Sequence, residues 1–357
     1  MFILQPSVLL TQAVALEPRN PRYWVKLGET VEDLVNACGS LRPPIDKESQ
    51  RTLRLQAVQA FERALQESKG ESVAAAVGLA RCRFSEGLDG VAEQLAQDVL
   101  AKYSEKQEQQ HGGGAVGSAP EVCGAHRLLG MIYSAQRRPD EALRCFIMAQ
   151  TMDPEAGEAV YHMGNCLMEL NRLKVKHLAV APLPPLTHTV CVSLSQEAEA
   201  AYLRAVDFLP DFGEAHYNLA LLRDQKGRPH MARLSYERAA ELRPYDPDPW
   251  INLGTTLMTL GNLTESTEAY DHALALDPTD ASIHFSRGLT LLRRCLWAQA
   301  RAAFEEATRL EPEHADAHYH VAVCAEAGEL GELGDGQGKE AEVASTHSLS
   351  HPLTNTV

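Results

Sequence analysis

Apolar residues along this chain recur with a helical spacing rather than an alternating one. Ala232–Tyr236–Ala239 places small, aromatic and small side chains four and three positions apart, on one helix face. Ala300–Phe304–Ala307 and Ala142–Phe146–Ala149 repeat the run. Each is preceded by another stripe: His216, Leu219 and Ala220; Trp250, Leu253 and Gly254; or His284, Arg287 and Gly288. Turns such as Gln225-Lys226-Gly227-Arg228 and Leu260-Gly261-Asn262 separate the two stripes. Pro244, Pro278 and Pro312 follow, ending the second helix by removing an amide donor and restricting the residue before. The phase is 34 residues and holds through 213–246, 247–280 and 281–314, and it fits 123–156 as well. The pattern predicts helical hairpins and no sheet.

Weaker units extend the array. Trp24, Leu27 and Gly28 followed by Ala57, Phe61 and Ala64 mark a unit at 21–72, and Val77, Leu79, Ala80, Ala92 and Ala96 mark one at 73–106. These form a degenerate segment, 21–106. Residues 107–122, with His111-Gly112-Gly113-Gly114, read as a flexible linker. The array then runs over 123–328. Its unit 157–212 begins with Tyr161, Met163 and Gly164, ends with Ala198, Tyr202, Ala205 and Pro210, and carries 22 surplus residues, 174–195. Those fall where the hairpin turn belongs, so they read either as retained non-coding sequence or as a real surface loop. The unit 21–72 also carries 18 surplus residues, near Cys38–Glu48; without the three surplus stretches, seven 34-residue units remain in 21–314. Residues 1–20, with Leu10, Ala13 and Pro18, match the end of a second helix, and 315–328 a first helix. Residues 329–357, rich in Gly, Ser and His, read as a disordered tail. Both ends look cut, so the natural chain is expected to continue.

The W/Y–L–G, A–x3–F/Y–x2–A and Pro pattern resembles the tetratricopeptide repeat family, over roughly 1–328. The units are most similar to those of O-GlcNAc-transferase arrays. The resemblance implies an all-α, right-handed solenoid of stacked antiparallel hairpins, whose first helices line a concave groove. It places the fifth, sixth and ninth residues of each first helix in that groove. These are Tyr161, His162 and Asn165; Tyr217, Asn218 and Leu221; Ile251, Asn252 and Thr255; Phe285, Ser286 and Leu289; and Tyr319, His320 and Val323. Asn218 and Asn252 would pair with a peptide main chain, since an amide both donates and accepts. A chaperone carboxylate clamp needs cations beside such asparagines; Asp248 and Asn252 stand there instead, so that mode is disfavoured.

Composition adds exclusions. The chain has 357 residues, 45% of them hydrophobic, which suffices for a core. A formal net charge of −15 argues against nucleic acid or an anionic membrane as partner. No apolar run approaches the length of a membrane span, the N-terminus lacks a basic signal-peptide region, and the eight cysteines form no CxxC pair. Reduced thiols and a cytoplasmic location are expected. The sequon at Asn262 then reads as chance.

Catalytic motifs fail one by one. The His111–Gly114 run has no GxSxG after it, and Gly334–Lys339 lacks the first glycine and the Ser/Thr of a phosphate loop. His314, Asp316, His318, His320 and Cys324 resemble a ligand set, yet Cys324 faces the interior and His314 precedes the helix. No cofactor or metal is expected. The reading is a non-enzymatic scaffold binding a polar or basic peptide. The alternatives are the repeat arm of a larger enzyme such as an O-GlcNAc transferase, and a subunit of a multiprotein assembly.

Overall fold

Helix starts in this chain coincide with groups that satisfy or remove free amides. Asp246 accepts from the Asp248 amide at 3.0 Å, Asp280 from Ser282 at 2.8 Å and Ser72 from Ala75 at 3.3 Å. Prolines occupy first turns at Pro139, Pro229 and Pro247. The computed structural model describes residues 5–37, 47–109, 120–180 and 186–333, and among them it contains helices and no strand.

The chain divides into two compact units, Met1–Phe208 and Leu209–Val357. The first holds α1 (Gln5–Leu16), α2 (Pro21–Ala37), α3 (Lys47–Glu67), α4 (Val73–Ser85), α5 (Asp89–Gln109), α6 (Pro120–Ala135), α7 (Pro139–Met152), α8 (Gly157–Val180) and α9 (Leu186–Phe208). The second holds α10 (Gly213–Gln225), α11 (Pro229–Leu242), α12 (Pro247–Leu260), α13 (Leu263–Leu276), α14 (Ala281–Arg293), α15 (Trp297–Leu310) and α16 (Ala315–Leu333). From α2 onward neighbours pair as hairpins, α2 with α3 through to α14 with α15, and within each unit every hairpin packs on the next. Among the described residues no helix is long and apolar enough to cross a membrane.

Six of the seven described hairpins close on one ring; α4/α5 instead buries Ala92 and Ala96. Phe61, Phe146 and Tyr202 in the first unit, and Tyr236, Tyr270 and Phe304 in the second, are at most 2% exposed. Opposite most of them the first helix has no side chain. A Cβ on Gly130 would stand 2.7 Å from the Phe146 ring, one on Gly164 2.7 Å from Tyr202, one on Gly254 2.9 Å from Tyr270, and one on Gly288 2.7 Å from Phe304. Alanines beside the ring, such as Ala232, Ala239, Ala269 and Ala273, are at most 3% exposed and let the backbones approach.

Two further contacts recur and tie successive hairpins together. Trp24 Nε1 donates to the Pro18 carbonyl at 2.8 Å; the His216, His284 and His318 Nε2 atoms bond the carbonyls of Pro210, Pro278 and Pro312 at 2.9–3.1 Å. A side chain six residues further along α8, α12 and α14 reaches back to the preceding hairpin. Cys166 meets Ser134 at 3.6 Å, Thr256 donates to Asp224 at 2.8 Å, and Thr290 reaches the Met258 sulfur at 3.5 Å.

The surplus segment 174–195 departs from the loop expectation. Helix α8 continues to Val180 and α9 begins at Leu186, so much of the segment lengthens the two helices of the hairpin instead of forming its turn. The helix-forming run Lys174–Val180 has no proline, and only Pro182, Pro184 and Pro185 interrupt it. The linker reading is also trimmed, because α5 reaches Gln109 and α6 starts at Pro120. Likewise α16 extends to Leu333, into the segment read as tail. The remaining parts of the linker and the tail, including His111–Gly114 and Gly334–Lys339, lie outside the described residues.

The hairpin turn itself demands a left-handed residue at one fixed place. Gly87, Gly227 and Gly261 hold it with φ of +77°, +66° and +84°, while Arg137 and Cys295 occupy it at 60° and 59°. A side chain there costs about 1–2 kcal/mol against the right-handed region. Cys295 is exposed, so its replacement by glycine removes no core contact. Cys295→Gly is expected to stabilise the chain by about 0.5–1 kcal/mol in urea unfolding, the strain relieved exceeding glycine's entropic cost; a lower midpoint would contradict this account of the turn. Ala239→Phe or Ala273→Phe should cost about 1–3 kcal/mol by overpacking, and unchanged thermal stability would contradict the close helix approach.

Candidate functional site

The residues expected in a groove sit on the first helices, and the structure shows what each already does. They divide between the two units: Tyr161, His162 and Asn165 on α8, the others on α10, α12, α14 and α16.

The sixth-place residues lie in the joints between hairpins. His162 stacks flat on Phe146 of the preceding hairpin, with centroids 5.1 Å apart and planes 13° apart. His320 stacks in the same way on Phe304, at 5.0 Å and 18°. Ser286 instead stands near the hydroxyl of the preceding ring, Tyr270. Asn252 Nδ2 donates to the Tyr217 hydroxyl at 2.9 Å and to the Asp248 carbonyl at 3.1 Å, which commits both amide hydrogens. Asn218 is half-buried on α10. An asparagine ladder at Asn252 therefore has only its acceptor side to offer.

Ninth-place residues pair with the ring of their own hairpin in α8 and α12, whereas Leu221 packs in the Tyr236 cluster and that hydroxyl has no hydrogen-bond partner among the described residues. Asn165 accepts from the Tyr202 hydroxyl at 2.7 Å, and the Thr255 and Tyr270 hydroxyls pair at 2.9 Å. Where the ring is Phe304, without a hydroxyl, the ninth place is Leu289, part of the same apolar cluster. Burial pushes the Tyr202 and Tyr236 hydroxyls far above the ordinary tyrosine range and raises that of Tyr270, because an ionised phenolate would be desolvated there.

The fifth-place residues remain at the surface. Tyr161 meets His162 edge-on at 5.1 Å. Tyr217, Ile251 and Phe285 are half-buried, and Tyr319 is 54% exposed. Around Tyr217 the structure adds residues the sequence reading did not single out. The Arg243 guanidinium lies 5.4 Å from the centre of the Tyr217 ring, and Arg243 also pairs with Asp246. The Asp248 carboxyl is raised from its usual range, chiefly by burial and then by repulsion from Asp246. The signal for Arg243 was its place in the linker just ahead of a first helix, where the side chain can fold back over the neighbouring aromatic.

Other candidate chemistry is dispersed. His314 packs on Phe285 at 4.6 Å, His318 bonds Pro312, and Cys324 is buried in an apolar cluster. Among the described residues no group of three or more His, Cys, Asp or Glu is placed to hold a metal ion. Burial pushes the Cys82 thiol up to about 12 and those of Cys145 and Cys324 to about 11, so these are poor nucleophiles at neutral pH.

Comparison with known proteins places the repeats. Models described as "TPR repeat" and "Tetratricopeptide repeat" match residues 254–293, and residues 127–175, 213–246 and 296–333, respectively. The human Protein O-mannosyl-transferase TMTC3 is 26% identical over 147 residues, which is 41% of this chain and 15% of that protein. Among solved structures, human IFIT1, determined as a dimer with m7Gppp-AAAA, aligns with a TM-score of 0.61 at 14% identity, over 91% of this chain and 68% of that one. PilF of Pseudomonas aeruginosa aligns with a TM-score of 0.52 at 16% identity, over 71% and 99%. At these identities the structural likenesses concern fold. The matches identify tetratricopeptide repeats at 127–175, 213–246, 254–293 and 296–333, in keeping with the 34-residue hairpins and their ring-on-glycine closure.

Proposed function

We propose that the chain is a protein-interaction scaffold that binds an extended or helical peptide on the first-helix face of its repeats. The observation that carries this reading is the fifth-place row. Tyr217, Ile251, Phe285 and Tyr319 recur at 34-residue intervals on α10, α12, α14 and α16, and remain half-buried or exposed although the joints around them are closed. Rigid aromatic and aliphatic side chains on a fixed frame are the anchors that peptide grooves use. Repeats that contact only their neighbours leave such a row open along the stack.

The polar surroundings favour a polar or basic ligand over an anionic one. Glu214 and Asp248 lie in the first turns of α10 and α12, and Asp316 in that of α16. Cations would be steered here and phosphate repelled. The asparagines would act by accepting from the ligand main chain. Apolar anchoring at the fifth places thus supplies most of the affinity, with Asn218 and Asn252 contributing orientation. A second reading, motivated by the match to TMTC3, makes the chain the repeat arm of a transferase; transfer of a sugar by the purified chain would favour it.

Panning a peptide display library on the full chain tests the first reading. Recovered peptides should combine apolar residues with Lys or Arg. Tyr319→Ala, at an exposed site, should weaken their binding at least about tenfold, or about 1.4 kcal/mol, without loss of helicity. Asn218→Ala/Asn252→Ala should weaken it as well, by about 0.5–1.5 kcal/mol per bond lost. Wild-type affinity in both variants would move the site to another face.

A further inference from the structure

The joints between hairpins differ in their capacity to take up a proton. In the α3–α4 joint the sixth-place residue is Gly78, against the Phe61 ring, and neither α2 to α5 nor their turns contain a histidine. In the α7–α8 joint it is His162, lying flat on Phe146. A second imidazole, His126, sits in the first helix of the preceding hairpin, with its Nδ1 buried and without a hydrogen-bond partner.

We propose that the joint between hairpins α6/α7 and α8/α9 is an acid-sensitive release point: proton uptake at His162 loosens it, while the histidine-free joints of α2–α5 stay closed.

The surroundings of His162 set the sign. On its own helix, Glu158 one turn away favours the charged ring. From α6, Arg127 opposes it and is itself bound to Glu158 at 3.1 Å. From α7 comes the uncharged Phe146 ring, and from α9 the Tyr202 ring, which stands 6.0 Å from Tyr161 beside His162. Burial outweighs these charges and holds the imidazole below its ordinary range. For His126 burial is the whole cause, in the same direction. A group with a depressed folded-state value contributes stability above its unfolded value, about pH 6.5 for histidine, and loses it as pH falls below that. Acid therefore weakens this joint. Its consequence is local, because repeat arrays open unit by unit and not all at once. Separation here would part Tyr161 and Asn165 from the hairpin before them, so this array would change its first-helix surface between neutral and mildly acidic compartments.

Hydrogen exchange of the full chain at pH 7.5 and 5.5, corrected for the intrinsic pH dependence of exchange, tests this. Protection of α7 and α8 should fall at least about threefold at the lower pH, while that of α3 and α4 stays level. His162→Gln should abolish the difference. An equal fall in α3 and α4, or a fall that persists in the variant, would overturn the proposal. Imidazole titration of the unmutated chain by NMR gives an independent readout: His162 titrating at or above the ordinary histidine value would also overturn it, whatever the variant's stability.

Discussion

An aromatic ring pressed against a helix that has no side chain to meet it is the contact on which this architecture depends. At Gly130, Gly164, Gly254 and Gly288 the ring of the second helix occupies the space a Cβ would need. The contact lets the two backbones of a hairpin approach closely, and it leaves the far side of the ring for the next hairpin. One buried ring thus joins two hairpins. That is how a chain can build a long core from alanines and a few aromatics: no hairpin can bury its own apolar face alone, and each borrows its neighbour's. The hairpin α10/α11 uses a variant, with Ala220 in place of glycine opposite Tyr236, both fully buried.

Ring identity then dictates the polar chemistry nearby. A tyrosine hydroxyl brought into the stack gains from a partner, since an unpaired buried polar group costs about 1–3 kcal/mol. Asn165 serves Tyr202 and Thr255 serves Tyr270, while the buried Tyr236 hydroxyl goes without one among the described residues. Phenylalanine needs none and is covered by a flat histidine, as at Phe146 and Phe304. Side chains that look available for a ligand in sequence are in this way largely committed to the array. The fifth places escape that demand, because they lie beside the ring and not over it. In the proposed reading, ligand recognition falls to them, with acidic first turns biasing its charge.

The period, the hairpins and the buried ring were legible because they rest on local spacing: alanine, aromatic and alanine on one face admit few other readings. The extent of α8 and α9 was not, since a surplus segment in a 34-residue phase signals an interruption without saying whether the helices continue through it. The left-handed turn was plain at Gly227 and Gly261 and hidden at Arg137 and Cys295, where the same backbone is imposed on a residue that does not advertise it. For the site, sequence placed the side chains on the correct helices. It could not tell a free amide from one holding Tyr217, because that depends on a residue 35 positions away in the preceding hairpin.

The closure of hairpins on a ring can be tested by a double-mutant cycle at Gly288 and Phe304, followed by urea unfolding of the full chain. Gly288→Ala should cost about 1–3 kcal/mol while Phe304 is present, because the new methyl meets the ring. With Phe304→Leu in the background the same change should cost much less, or become favourable through alanine's helix propensity, giving a coupling of at least about 1 kcal/mol. Additive effects of the two changes, within about 0.5 kcal/mol, would contradict the account.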